Sequence, residues 1–185
     1  MDDLEILASI LGKTGDIVAG TQRDQWEQAT CCPEFDVEAL LAHIVGWAQV
    51  FAAAATGDTY DGDPTSYPLG DGAASDFRAA ATDIVDGWRA HGTDRKVTLM
   101  SGEMPGQMVL NMTFMEYLTH GWDLATATGQ PVQFTDAEAE ETLRRAQQTL
   151  QPQYRGQGIG EEVEVPPDAP VLDRLVGFMG RRPAR

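Results

Sequence analysis

Positive charge is scarce in this chain. Lys and Arg number 13 against 29 Asp and Glu, which leaves a formal net charge of −16 over 185 residues. A field of that sign repels phosphate backbones and anionic lipid surfaces, so neither nucleic acid nor a membrane is an expected partner. The acidic excess is read as solubility and names no substrate. Long hydrophobic runs are also lacking. No apolar run approaches the roughly 18 residues a membrane-spanning helix needs, and the chain opens Met1-Asp2-Asp3, acidic where a secretory leader would be basic. A cytoplasmic protein is expected. Cysteine is nearly absent, and the two that occur, Cys31 and Cys32, are neighbours, so a bond between them would close a strained ring and cross-link no useful length of chain. With no second Cys or His pair close by they make no zinc-knuckle pattern. Cys32-Pro33 reads instead as the turn that starts a helix.

What the chain does have is apolar residues at helical spacing. They make up 42% of the sequence, enough for one domain, residues 1–185, with a core of its own. Leu4, Leu7, Leu11 and Val18, supported by Ile6, Ile10 and Ile17, predict an amphipathic helix over residues 2–20, with Gly20 at its end. Asp36 is the N-cap of a second helix along Leu40, Leu41, Ile44, Val45, Ala48, Phe51 and Ala52. Residues 57–75 are rich in Gly, Asp, Pro and Tyr and are read as a candidate lid. A third helix follows through Phe77, Ala81, Ile84 and Trp88, and His91 just beyond it is expected to face solvent.

Lys96 to Met100, Ser101 to Gly106 and Gln107 to Leu110 are read as a short hairpin or an extended connection. A fourth helix is expected over Asn111–Ala127 with Gly129 as its stop, and Thr135-Asp136-Ala137-Glu138 has the capping-box spacing that opens a fifth. Residues 153–169 read as loop, and Val171 to Met179 as a short closing helix. The expected fold is therefore all-α: a four-helix bundle with a long crossover, a short C-terminal closing helix and a small β-hairpin.

Bundles build metal sites from side chains on facing helices. In Met112-x3-Glu116-x3-His120-x3-Leu124 the four residues share one helical face with apolar residues at both ends, so Glu116 and His120 should point inward. A buried carboxylate and imidazole are costly unless paired or metal-bound. His43 lies one turn after Leu40 and one turn before Trp47, where it can face the fourth helix. Two imidazoles and a carboxylate suit a catalytic zinc with an open position, and equally nickel or non-haem iron(II). Spacing alone leaves a second reading open, because an i, i+4 acid and histidine pair is also the pattern of an ordinary ion pair, and a lone His on a helix flank is ordinarily structural. Trp122 is read as core, and Asp123 as a cap or ion-pair partner.

Two longer motifs surround these residues. Cys32-Pro33-x-Phe35-Asp36-Val37-x-Ala39-Leu40-Leu41-Ala42-His43-x-Val45-Gly46 and Glu116-x3-His120-Gly121-Trp122-Asp123-Leu124-Ala125-x-Ala127-x-Gly129 together resemble the mycothiol-dependent maleylpyruvate isomerase family, part of the DinB-like group of metal-binding four-helix bundles. The ending Leu172-Asp173-Arg174-Leu175-x-Gly177-Phe178-x-Gly180-Arg181-x-Pro183 resembles the closing segment of short family members. By position, the resemblance implies metal ligands at His43, Glu116 and His120, and zinc or another divalent ion with an open site. Two departures stand out: Glu34-Phe35 replaces the family's usual Gly-Trp, and the additional C-terminal domain of the full-length isomerase is expected to be missing.

The leading functional expectation is a metal-dependent transferase or isomerase in which a low-molecular-weight thiol, mycothiol by resemblance, attacks a small electrophile. Asp123 would orient His120 or a nearby backbone group, and no residue stands out as a separate general acid or base. A second class is a non-catalytic protein that binds a metal or small ligand, with dimerisation through an exposed helix face. A third is hydrolysis by metal-bound hydroxide, which needs no thiol.

Overall fold

A computed structural model describes residues 2–100, 102–156 and 159–183. Ser101 of the expected hairpin and Gln157 and Gly158 of the expected loop lie outside the described residues, as do Met1, Ala184 and Arg185. Six α-helices are present among the described residues: α1 (Asp3–Gly20), α2 (Val37–Thr56), α3 (Ala73–His91), α4 (Gly106–Thr128), α5 (Asp136–Thr149) and α6 (Val171–Phe178). A two-stranded antiparallel hairpin, β1 (Lys96–Leu99) and β2 (Gly102–Pro105), joins α3 to α4.

Local chemistry sets the helix ends. The Asp2 carboxylate accepts from the Glu5 amide while the Glu5 carboxylate accepts from Asp2, a capping box that opens α1. Asp36 accepts from the Ala39 amide at 2.8 Å and opens α2, and Thr135 with Glu138 opens α5 in the expected way. Gly57 and Gly129, both left-handed, end α2 and α4.

Helix α1 packs on α3 and α4, and α2 packs on the same two, so the bundle circuit runs α1, α3, α2, α4. Its core holds Leu7, Ile10, Leu40, Ile44, Phe77, Ile84, Phe114 and Leu118, all fully buried. Helix α5 covers α4, and α6 covers α5. Arg145 of α5 is buried there, its guanidinium 4.3 Å above the Phe114 ring. Its three nitrogens donate to Glu141, Asn111 and Asp3, which ties α5 to α4 and α1.

Three expectations are corrected. Gln107–Leu110 is the first turn of α4 and not part of the hairpin. Val109 and Leu110 are buried with Thr113 and Phe114 one turn on, a helical period that the Pro105-Gly106 pair disguised as a turn. Helix α2 has the length and mean hydropathy, 20 residues at 1.5, of a membrane span, a property that run length missed because Glu38, His43 and Gln49 interrupt the run. In the bundle it is a core helix, with 61% of its most apolar window buried. Pro64, Thr65 and Ser66 lie against α2, and none of residues 57–75 lines the cavity described below. They approach so closely that a Cβ on Gly46 would sit 2.0 Å from the Pro64 carbonyl oxygen, which accounts for the glycine in the His43-x-Val45-Gly46 motif.

Candidate metal centre

His43 reaches the centre from the second turn of α2, and Glu116 and His120 from one face of α4. The helices can meet closely on the other side of the motif because Gly121 lies against α1: a Cβ there would stand 2.9 Å from Thr14 Oγ1 and 2.8 Å from the Phe134 ring. His43 Nε2 lies 2.7 Å from Glu116 Oε1, and His120 Nε2 lies 3.8 Å from the same oxygen. One ligand atom from each of the three residues lies within 4.8 Å of the others.

The donor set fits a divalent ion. Two donors on one zinc lie at most about 4 Å apart, so small rotations suffice to close the set. His120 Nδ1 is 3.1 Å from Asp123 Oδ2. A carboxylate there favours the proton on Nδ1 and leaves the Nε2 lone pair facing the centre, the tautomer an ion needs. Burial pulls the Glu116 carboxyl upward, but the His120 and His43 imidazoles overcome it and hold the group well below the usual carboxylate range. Burial pushes the His43 imidazole down, and the Glu116 charge and hydrogen bond, with Glu34 further out, more than reverse it. His43 Nε2 and Glu116 Oε1, 2.7 Å apart, thus meet at a position where a cation is favourable.

Asp123 is completely buried, and burial would raise its carboxyl. Hydrogen bonds from His120 and Arg181 hold it low instead. Arg181 Nη2 donates to Asp123 Oδ2 at 2.8 Å, its Nε is 3.2 Å from both carboxylate oxygens, and its Nη1 donates to the Met179 carbonyl at 2.7 Å. Arg181 was not among the residues singled out from the sequence. The only signal was its place in the Gly180-Arg181-x-Pro183 ending. Phe35, one of the two departures, packs against His43 with the rings tilted by 41° and their centroids 4.8 Å apart, and meets His120 edge-on at 6.1 Å. Glu34 and Phe35 thus both form part of the site wall.

The centre opens into a cavity of about 490 Å³ between α2, α4, residues 149–154 and Ile159, with Met179 and Arg181 just beyond α6 closing it among the described residues. Trp47 and Phe51 continue the wall along α2. Trp122 is buried in the core, and His91 is exposed at the end of α3 and takes no part. Cys31 and Cys32 are free thiols behind the site, beside a smaller cleft of about 220 Å³ that also touches Arg181. Burial pushes both thiols up, which makes them poor nucleophiles.

The family model described as Mycothiol maleylpyruvate isomerase N-terminal domain matches residues 7–125, a span that includes α2 and all three residues of the centre. Two relatives described as uncharacterized, from Mycobacterium tuberculosis strains CDC 1551 and H37Rv, are each 32% identical over 168 residues, covering 89% of this chain and 90% of theirs. No solved structure matches the chain. The matched span, the helical bundle and the His43, Glu116 and His120 cluster agree, and the chain belongs to the DinB-like family of the mycothiol maleylpyruvate isomerase N-terminal domain.

Proposed function

We propose that this protein holds a divalent metal ion through His43, Glu116 and His120 and uses it, with a low-molecular-weight thiol of the mycothiol kind, as a cytoplasmic transferase or isomerase acting on a small electrophile. The observation that carries the reading is the convergence of two imidazoles and one carboxylate, from two facing helices, on the wall of a cavity. A bound divalent ion, zinc or by the same donors nickel or iron(II), supplies a Lewis acid that lowers the pKa of a coordinated thiol so that thiolate is available at neutral pH.

The chain's own residues prepare that position. His43 Nε2 and Glu116 Oε1 lie 2.7 Å apart, and both would hold the ion in their deprotonated forms. Asp123 accepts from His120 Nδ1 and fixes the ring so that Nε2 faces the centre, while Arg181 keeps Asp123 ionised and in place. Phe35 and Trp47 flank the imidazole of His43 and keep bulk water from that side.

The test is thiol-dependent consumption of a panel of neutral and carboxylated electrophiles by the metal-loaded protein, beside His120→Ala. Turnover that requires the thiol and disappears in a folded His120→Ala variant supports the proposal. Tight ligand binding without turnover assigns a binding protein instead, and turnover without thiol assigns hydrolysis.

A further inference from the structure

The face of α4 that carries His120 and Glu116 continues toward the helix start as Met112 and then Met108, each four residues from the next. Residues 108, 112 and 116 are half-buried, whereas the positions between them are buried. A helix face that is not covered by protein is ordinarily polar. Here it is methionine, and it faces the cavity rather than open solvent. Met104, Met115 and Met179 add to the same wall, so five of the chain's seven methionines line it. Unbranched thioether side chains adapt to apolar guests of varied shape. From Met108 to Glu116 the row is about 12 Å long along the helix axis, and a cavity of about 490 Å³ is of the size that takes small organic ligands.

The charges point the same way. Arg181 is the one Lys or Arg among the described residues lining the cavity, and its Nε, Nη1 and Nη2 are all engaged by Asp123 and the Met179 carbonyl. The two imidazoles face Glu116 and Asp123. Glu34 and Glu116 are the remaining charged lining groups, and both are acidic. A carboxylate placed along the methionine row would lose water and meet no cation, which is costly.

We infer that the cavity selects an uncharged, largely apolar small molecule, lying along Met112 and Met108 with its reactive atom at the His43, Glu116 and His120 end. Describing that molecule as a substrate rests on the thiol-transfer reading; the selectivity itself does not.

The test is displacement of the neutral fluorescent probe N-phenyl-1-naphthylamine by a matched pair, methyl 2-naphthoate and 2-naphthoate, from the protein as purified and again after chelation. The ester is expected to displace the probe at a concentration at least about tenfold lower than the carboxylate in both preparations. Met108→Lys, with helical content unchanged, is expected to erase that preference by supplying the missing cation. Met104→Lys, on the hairpin, makes the same test should Met108→Lys lose helicity. A smaller preference in the wild type, or a wild-type preference kept by the lysine variants, overturns the inference. Ester selectivity without thiol transfer counts against the proposed function alone. Thiol transfer confined to carboxylated electrophiles overturns the selectivity alone.

Discussion

Helix α4 carries two polar clusters that look alike in composition and differ in what they leave open. Near its start, Asn111 joins Arg145, Glu141 and Asp3, and each guanidinium nitrogen of the single buried cation has an acceptor. About one and a half turns on, Glu116 joins His43 and His120, where a ligand atom from each converges and no Lys or Arg among the described residues hydrogen-bonds to any of the three. The first cluster has no use for a ligand because it is saturated; its work is to lock α5 and α1 onto α4. The second is short of positive charge and adjoins a cavity, which is the arrangement a cation-binding site needs. Burial and hydrogen bonding do not separate a structural cluster from a candidate metal site here. The balance of donors to acceptors does.

The widest separation between the two should appear on Arg145→Ala, which removes the central cation and its packing on Phe114. Chemical denaturation should show a loss of about 3 kcal/mol or more, while metal content per folded chain stays at the wild-type level. Next, Arg181→Ala should weaken metal binding by about 10- to 100-fold in a competitive chelator titration by loosening Asp123 behind His120, with Arg181→Lys recovering part of it. Global stability should respond less than in Arg145→Ala.

A third cluster sharpens the contrast through pH. Glu138 accepts from Lys13, Ser9 and the Thr135 amide. Burial raises its carboxyl, and these partners lower it below the ordinary glutamate value of 4.5. A depressed folded-state value contributes stability that is present above the unfolded value and lost as pH falls through the folded one. Glu138→Gln should therefore cost about 2 kcal/mol at pH 7, and the gap to wild type should close as pH is lowered below 4.5. The smallest effect is expected of Asp36→Ala, a lost N-cap worth about 1 kcal/mol in thermal unfolding. It sits seven residues before His43 on the same chain segment, so unchanged metal affinity would show that the centre tolerates fraying of the α2 start.

Legibility in the sequence followed the range of the interaction. His43, Glu116 and His120 could be read because two of them share one helical face at i, i+4, and because both flanking motifs carry the resemblance. The helix ends at Asp36, Thr135 and Gly129 were readable because capping is settled within four residues. Arg181 was not, since it meets Asp123 across 58 residues and only the docking of α6 brings them together. The cavity wall was hidden for a different reason. A methionine at helical spacing reads as core, and only the burial pattern along 108, 112 and 116 distinguishes a cavity face from a packed one. The start of α4 was lost to Pro105-Gly106, a pair that serves a turn and a helix start equally well.

The most direct test of the central claim is elemental analysis of the purified wild-type protein beside His43→Ala and Glu116→Ala, with circular dichroism to establish that all three are helical. About one divalent ion per wild-type chain, absent from both variants, is the result the donor set predicts. Substoichiometric metal after reconstitution, or metal retained by both variants, would contradict it.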